Sequence, residues 1–254
     1  MNSITAATQI CMVIGDPIAH TLSPLLHNTA YEASGLAGSF VFVAARAAPG
    51  SLRDVLAGVR ALGIRGVSVT IPHKSEVIPL LDEVDDLARK IGAVNTIVNN
   101  AGRLTGFNTD LAGILAPLEE VEPLRGKKVA LLGAGGAARA AAFAVTSQGA
   151  VLTIFNRTPA RARALAAEVG AAAADFSALN EVQNFDVILQ STPVGMSPDT
   201  GESPVPEEYL KKGQIVFDFV YNPPETKLLA SARARGARVI SGIEMFLHQG
   251  AAQF

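Results

Sequence analysis

A glycine-rich turn between an apolar strand and an alanine-rich helix constrains the fold of this chain more than any other feature. The strand-like run Val129-Ala130-Leu131-Leu132 leads directly into Gly133-Ala134-Gly135-Gly136-Ala137-Ala138. The spacing G-x-G-x-x-A between a strand and a helix is typical of a dinucleotide-binding turn. The first glycine permits the tight turn, the second lets the backbone approach a pyrophosphate, and the helix N-terminus attracts the phosphates. The expected cofactor contacts are Gly133, Ala134, Gly135, Gly136 and Ala137.

The end of the next predicted strand indicates which dinucleotide is bound. The segment Ile154-Phe155-Asn156-Arg157-Thr158 has an arginine where an NAD enzyme would place an acidic residue against the ribose, and Arg161 follows one helical turn later. An aspartate would repel a 2′-phosphate, whereas two guanidinium groups would bind it through charge-assisted hydrogen bonds of roughly 1.5–3 kcal/mol each. The alternative is that Thr158 caps a helix and the arginines are solvated, which is compatible with cofactor binding. We therefore expect NADP, contacted by Asn156, Arg157, Thr158 and Arg161.

Strand-like and helix-like segments alternate along nearly the whole chain. Short apolar runs predict strands at 10–14, 39–44, 64–69, 96–98, 129–132, 151–155, 187–189, 215–217 and 239–240. Helical patterns cover 24–33, 51–62, 109–118, 136–148, 159–169, 225–235 and the segment from 243 onward. This alternation predicts an α/β fold with parallel sheets covered on both faces.

Two α/β domains with a cleft between them are expected. The break falls near residues 108–110, because the helix that follows leads into the strand of the glycine turn. An N-terminal α/β domain would comprise residues 1–109, with 243–254 returning to it. A Rossmann-like NADP-binding domain would comprise residues 110–242.

Composition excludes several classes of function. The net charge of −2, from 21 Lys and Arg against 23 Asp and Glu, argues against binding to nucleic acid or to anionic membranes. The first basic residue is Arg46 and no apolar run is long enough to span a bilayer, so neither a secretory signal nor a membrane span is expected. A single cysteine, Cys11, suits a reducing cytoplasm. The histidines are not clustered with other ligands, so no metal site is predicted.

Three segments of the first half place polar groups just after predicted strands, where α/β folds bind ligands. They are Gly15-Asp16-Pro17-Ile18-Ala19-His20-Thr21-Leu22-Ser23-Pro24-Leu25-Leu26-His27-Asn28, then Ser68-Val69-Thr70-Ile71-Pro72-His73-Lys74, and Gly92-Ala93-Val94-Asn95-Thr96 with the nearby Asn108-Thr109-Asp110.

Together with the glycine turn, Asn156-Arg157-Thr158 and the C-terminal Gly242-Ile243-Glu244-Met245-Phe246-Leu247-His248-Gln249, these segments resemble the shikimate dehydrogenase family. That family carries G-x-P-I-x-H-S-x-S-P-x-x-H-N, N-V-T-x-P-x-K, G-A-V-N-T, N-T-D and G-x-x-M-x-x-x-Q in the same order, and the match runs from about Val13 to the last residue. The resemblance implies a two-domain enzyme that uses NADPH to reduce 3-dehydroshikimate reversibly to shikimate, in the biosynthesis of chorismate and aromatic amino acids. It is compatible with a homodimer.

The resemblance makes Lys74 and Asp110 the catalytic pair. Hydride addition to a ketone creates negative charge on oxygen, which an ammonium group can stabilise and protonate. Asp110 would orient the lysine and contact a substrate hydroxyl. For each residue alone the simpler interpretation is structural, a solvated lysine and a helix-capping aspartate.

The resemblance also assigns the remaining site residues. Thr21 and Ser23 would hold the substrate carboxylate with Tyr221 nearby, although Ser23 could instead cap the following helix. Ring hydroxyls would be bound by Thr70, Asn95 and Gln249. Cofactor contacts beyond the glycine turn would come from Thr192, Phe219, Gly242 and Asp86.

Three positions depart from the family pattern: Thr21 replaces a serine, and Ser68 and Gln190 replace asparagines. The family also usually continues into a further helix past the position of Phe254. A quinate/shikimate dehydrogenase, or a relative acting on an aminated analogue, is therefore an alternative. A non-catalytic NADP-binding sensor and a folate-type dehydrogenase are others, but the sensor would not need Lys74 with Asp110, and the folate enzyme would not need the Thr21 and Ser23 hydroxyls.

Overall fold

The computed structural model describes residues 4–254, which form two compact units. The first unit comprises the chain up to Thr109 together with Gly250–Phe254, and the second comprises Asp110–Gln249. Each unit contains one six-stranded sheet.

The first unit contains a sheet in the order β2-β1-β3-β5-β6-β4. Its strands are β1 (Gln9–Gly15), β2 (Phe40–Arg46), β3 (Gly66–Val69), β4 (Glu83–Val84), β5 (Thr96–Asn100) and β6 (Arg103–Phe107). Its helices are α1 (Ser23–Ala33), α2 (Leu52–Ala61) and α3 (Asp86–Ile91), with a short 3-10 turn at Ile78–Leu80.

Helix α2 shows how the sequence builds the core of this unit. Leu52, Leu56 and Val59 are buried at helical spacing and belong to one apolar cluster with Ile14 and Ile97 of the sheet. Arg53, Asp54, Ala57 and Ala61 are exposed on the other side, as expected for an amphipathic helix on one face of a sheet.

The expectation of a parallel sheet is wrong for this unit, because its sheet is mixed. Strand β5 pairs antiparallel with β3 and with β6. The β5–β6 connection is a two-residue hairpin in which Ala101 has φ 50° and Gly102 has φ 91°, the geometry that matches the twist of paired strands. Strands β4 and β6 and helix α3 were not predicted, since β4 and α3 are short and β6 carries only one large apolar side chain on its buried face, Leu104.

The second unit is a Rossmann-like domain. Its sheet is parallel throughout, in the order β12-β11-β10-β7-β8-β9. The strands are β7 (Lys128–Leu132), β8 (Val151–Asn156), β9 (Ala172–Asp175), β10 (Val187–Gln190), β11 (Ile215–Asp218) and β12 (Arg238–Ile240). The helices are α4 (Asp110–Val121), α5 (Gly136–Ser147), α6 (Pro159–Val169), α7 (Lys227–Ala234) and the first part of α8 (Gly242–Gln253), whose residues from Gly250 onward belong to the first unit.

The strand order reverses between β7 and β10, and ligands of such folds bind outside the carboxyl ends of the strands at that point. Helix α5, which follows β7, buries alanines on almost every side, so it packs closely against its neighbours. All of the strands and helices predicted from the sequence are present, with ends displaced by at most three residues.

Candidate active site

The glycine turn lies at the reversal point of the second sheet. Gly133 has φ 113° and its N–H donates to the Phe155 carbonyl at 2.8 Å. A Cβ at this position would lie 2.5 Å from Ser191 Oγ, and that hydroxyl donates to the Leu132 carbonyl at 2.6 Å. The turn after β7 therefore packs against the loop after β10, and both the φ value and the space require glycine.

The N-terminus of α5 offers room and donors for a phosphate. Gly135 is the N-cap, and a Cβ built on it would meet no atom of the described residues within 4 Å apart from its own neighbours in the chain. The Arg139 N–H donates to the Gly135 carbonyl at 2.9 Å, so the amides of Gly136, Ala137 and Ala138 precede the first intrahelical hydrogen bond. Such amides, with the helix dipole, favour an anion at this end. This geometry fits the pyrophosphate of a dinucleotide.

The end of β8 presents positive charge to solvent. Arg157, Thr158 and Arg161 are exposed, and the Asn156 side chain donates to the Thr158 carbonyl at 3.0 Å. Because no acid stands among these residues, the segment fits a ribose 2′-phosphate.

The expectation that the Thr158 side chain caps α6 is wrong. Thr158 occupies the N-cap position before Pro159, but its hydroxyl makes no capping hydrogen bond. Its ψ is 97°, whereas Thr226, which does cap α7, has ψ 163°.

The loop after β10 is held by Gln190, which is fully buried. Its Oε1 accepts from the Thr192 N–H and the Thr192 hydroxyl, both at 2.9 Å. Its Nε2 donates to the carbonyls of Thr192 at 3.0 Å and Val194 at 3.1 Å. The longer side chain at this departure from the family pattern thus fixes the half-buried Thr192.

The loop after β11 is organised by a buried carboxyl group. Asp218 accepts from the Thr226 hydroxyl at 2.6 Å and from the Val220 N–H at 3.0 Å. Burial raises the pKa of Asp218 to about 6, although the two hydrogen bonds act in the opposite direction. These bonds join the start of the Phe219–Tyr221 segment to the start of α7.

Helix α8 brings further predicted residues to this loop. A Cβ on Gly242 would lie 2.4 Å from the Val220 carbonyl oxygen, and Tyr221 stacks on Phe246 with ring centroids 4.7 Å apart. Gln249, half-buried on the same helix, donates to the Phe246 carbonyl at 3.0 Å. The second unit therefore groups Phe219, Tyr221 and Gly242, and Gln249 follows on the same helix.

In the first unit, the segment after β1 carries a hydroxyl pair. Thr21 Oγ1 donates to Ser23 Oγ at 3.1 Å and accepts from the Ser23 N–H at 3.3 Å. Leu22 is the N-cap of α1, so the alternative that Ser23 caps this helix is wrong. Two half-buried hydroxyls at a helix N-terminus suit a carboxylate ligand.

The turn after β3 packs against the same segment. A Cβ on Gly15 would lie 2.4 Å from Thr70 Cγ2. His73 is fully buried, with Nε2 2.7 Å from the Ala47 carbonyl. The Lys74 carbonyl accepts from the Val94 N–H at 2.8 Å, and the Lys74 side chain is half-buried. The turn thus places Thr70 beside Gly15 and joins Lys74 to the segment that leads to Asn95.

Asn95 is joined to the Asn-Thr-Asp segment. Only 2% exposed, it donates from Nδ2 to Thr109 Oγ1 at 2.9 Å and accepts at Oδ1 from the Thr109 N–H at 2.8 Å. Asp110 follows in sequence as the first residue of α4 and is 2% exposed. Asp86 is exposed at the start of α3 in the first unit.

Two further features of residues 4–254 concern groups of metal ligands and helices that could span a membrane. No group of three or more His, Cys, Asp or Glu side chains that could hold a metal ion occurs in that range. None of the helices described there is long and apolar enough to cross a membrane.

Comparison with known proteins assigns the chain to a family. Residues 13–97 match the shikimate dehydrogenase substrate binding domain, and residues 117–198 match the shikimate / quinate 5-dehydrogenase model. A protein of Moorella thermoacetica named shikimate dehydrogenase (NADP(+)) is 47% identical over 266 residues, covering 100% of this chain and 89% of that protein. The chain belongs to the shikimate dehydrogenase family. The resemblance stated from the sequence motifs is thereby confirmed.

Solved structures support the same family and fold class. Shikimate 5-dehydrogenase from Thermus thermophilus, in complex with NADP(H) and shikimate, has a TM-score of 0.89 at 39% identity, covering 97% of this chain and 92% of that one. A quinate dehydrogenase from Corynebacterium glutamicum in complex with NAD has a TM-score of 0.86 at 32% identity, with coverage of 97% and 92%. The predicted α/β fold with a substrate-binding domain and a Rossmann-like domain is confirmed.

Two polar residues around these sites were missed by motif analysis, and a third was not given its role. Asp218 and Gln253 belong to no motif recognised in the sequence, and Gln190 was noted only as a departure from the family. Each forms side-chain hydrogen bonds next to predicted site residues: Gln190 with Thr192, Asp218 with Thr226, and Gln253 with Thr96. A polar residue at the end of an otherwise apolar strand, as at 190 and 218, is the signal that could have indicated two of them.

Proposed function

We propose that this protein is an NADP-dependent shikimate dehydrogenase, which reduces 3-dehydroshikimate reversibly to shikimate in the biosynthesis of chorismate and aromatic amino acids. The observation that carries the proposal is the likeness, at 47% identity over the whole chain, to a protein named for that activity. The chemistry of the residues in the two units also supports it.

The residues of the second unit suit NADP. Gly133, Ala134, Gly135, Gly136 and Ala137 would bind the pyrophosphate at the N-terminus of α5. Asn156, Arg157, Thr158 and Arg161 would surround the 2′-phosphate, where exposed guanidinium groups favour NADP over NAD. Thr192, Phe219 and Gly242, with Asp86, complete the proposed set. When bound, NADPH supplies the hydride.

The residues of the first unit suit a hydroxylated ring acid. The Thr21 and Ser23 hydroxyls would bind its carboxylate, with Tyr221 nearby. Thr70, Asn95 and Gln249 would bind ring hydroxyls, because uncharged donors and acceptors discriminate strongly between substrates that have or lack a hydroxyl.

Lys74 and Asp110 would carry the acid–base chemistry. As the ketone oxygen gains negative charge, the Lys74 ammonium would stabilise it and donate a proton to it. In the reverse direction the neutral amine would accept that proton. The Asp110 carboxylate would orient the ammonium and contact a substrate hydroxyl.

A division of labour between domains follows from these assignments. Residues 1–109, with 243–254 returning to them, would bind the substrate, and residues 110–242 would bind NADP. A single cysteine and a net charge of −2 support a cytoplasmic protein with no nucleic-acid partner. Within this proposal the active protein is a homodimer.

Initial rates with shikimate or quinate, each paired with NADP or NAD, test the proposed function. Turnover is measured from the absorbance of the reduced nicotinamide, and it should be fastest with shikimate and NADP. Binding of NADP without turnover of either substrate would contradict the proposal and favour a sensor.

A quinate-oxidising enzyme is the second candidate. The likeness to an NAD-bound quinate dehydrogenase at 32% identity and the threonine at position 21 favour it, whereas Arg157 favours NADP. Higher kcat/KM for quinate than for shikimate would establish this alternative.

A further inference from the structure

Gln253, near the end of α8, joins three polar groups on the sheet of the first unit. Its Oε1 accepts from the Ser68 hydroxyl at 2.9 Å. Its Nε2 donates to the Asn95 carbonyl at 3.2 Å and to Thr96 Oγ1 at 2.9 Å. Gly250–Phe254 belongs to the first unit, so all four residues lie within one compact body.

The orientation of the Gln253 carboxamide is determined by its partners. The Asn95 carbonyl can only accept a hydrogen bond, so it must face the amide nitrogen of Gln253. The opposite orientation would place two oxygens against each other. Thr96 Oγ1 accepts from the same nitrogen, so its own hydrogen is available to Asn95 Oδ1, which lies 2.8 Å away.

This chain of hydrogen bonds ends on the carboxamide of Asn95. Its Oδ1 receives bonds from the Thr96 hydroxyl and from the Thr109 N–H, while its Nδ2 donates to Thr109 Oγ1. Since a backbone N–H can only donate, Oδ1 must occupy that side, and Gln253 reinforces the same orientation through Thr96.

We propose that Gln253 is a positioning residue for the substrate site, acting through Thr96 to fix the amide of Asn95. The inference rests on the proposed function, in which Asn95 binds a ring hydroxyl. Ser68, which stands where the family has an asparagine, anchors the far side of the Gln253 amide. Gln253 therefore affects substrate affinity without contacting the reacting atoms.

Kinetics of Gln253→Leu test the proposal. The KM for shikimate should rise about tenfold, the change expected from loss of one or two net hydrogen bonds, while kcat and the KM for NADP change less than about twofold. Gln214→Leu is the matched control, because Gln214 is a buried glutamine that donates to the Val182 and Phe185 carbonyls in the second unit. This control should lower thermal stability and leave the KM for shikimate unchanged.

Two further variants distinguish the loss of the hydrogen-bond path from Gln253 through Thr96 to Asn95 from a general loss of packing. Gln253→Glu keeps the size and an acceptor for Ser68 but loses both N–H donors, so its KM for shikimate should rise as in Gln253→Leu. Thr96→Val interrupts the same hydrogen-bond path. The increase in the KM for shikimate in the Thr96→Val/Gln253→Leu double variant should therefore be smaller than the product of the increases in the two single variants.

The outcomes distinguish this inference from the proposed function. A wild-type protein without shikimate turnover would overturn both. Normal wild-type kinetics with an unchanged KM for shikimate in Gln253→Leu and Gln253→Glu, or fully multiplicative effects with Thr96→Val, would overturn the inference alone.

Discussion

Replacement of Asp218 by asparagine should change how stability depends on pH. Asp218 is fully buried, and burial raises its pKa from 3.8 to about 6. Between these values the folded protein retains the proton while the unfolded chain releases it. The free energy of unfolding therefore falls as pH rises through this window.

The size of the effect follows from the shift. One pKa unit corresponds to about 1.4 kcal/mol, so the wild type loses about 3 kcal/mol through this group in total as the pH rises from well below 3.8 to well above 6. An asparagine is neutral at every pH and escapes that loss. Its altered hydrogen bonding to Thr226 and Val220 adds only an offset that does not vary with pH.

Denaturant titrations of the full chain at several pH values, followed by far-ultraviolet circular dichroism, measure the difference. The unfolding free energy of Asp218→Asn minus that of the wild type should rise by about 2–3 kcal/mol between pH 4 and pH 7. Asp175→Asn is the control. A hydrogen bond from the Ser177 N–H lowers the pKa of exposed Asp175. The unfolding free energy of this variant minus that of the wild type should therefore fall, not rise, as the pH increases through the range in which Asp175 ionises. A difference for Asp218→Asn that stays constant with pH would refute the reasoning.

Three further predictions concern catalysis and the cofactor. Lys74→Ala should lower kcat by about two to four decades and leave NADP affinity, measured by fluorescence titration, nearly unchanged; near-normal turnover would exclude the proposed role. Arg157→Asp should reduce the kcat/KM preference for NADP over NAD by at least about tenfold, and an unchanged ratio would argue against 2′-phosphate binding. Gly133→Ala should destabilise the protein by more than about 1 kcal/mol and raise the KM for NADP, since φ is 113° and the added Cβ meets Ser191 at 2.5 Å. An unaltered melting temperature in that variant would contradict the steric argument.

The features predicted correctly from sequence are those encoded by local periodicity or by a short motif. The strands β7, β10 and β11 contain continuous buried apolar runs, β8 is interrupted only by Thr153, and the turn at Gly133 is specified by six consecutive residues. Strand β9 was missed because its Ala172-Ala173-Ala174-Asp175 lacks the β-branched residues typical of strands. The antiparallel β5–β6 pair was missed because it depends on the Ala101–Gly102 hairpin, and the antiparallel pairing of β5 with β3 was missed because no local pattern specifies it.

Side-chain networks around the site could not be predicted, because they join residues far apart in sequence. Gln253 and Ser68 are separated by 185 positions, and Gln214 and Val182 by 32. A glutamine in a C-terminal helix has no local pattern that indicates a partner on a distant strand. Such contacts appear only when the tertiary fold brings the strand and the helix together.

Transfer of a labelled hydride tests the central claim most directly. The protein would be incubated with 3-dehydroshikimate and NADPH carrying deuterium stereospecifically at either position of C4, and shikimate would be analysed by mass spectrometry. We predict that shikimate forms with both cofactors and carries one deuterium from one labelled form and none from the other. Absence of shikimate, or unlabelled shikimate from both forms, would contradict the account.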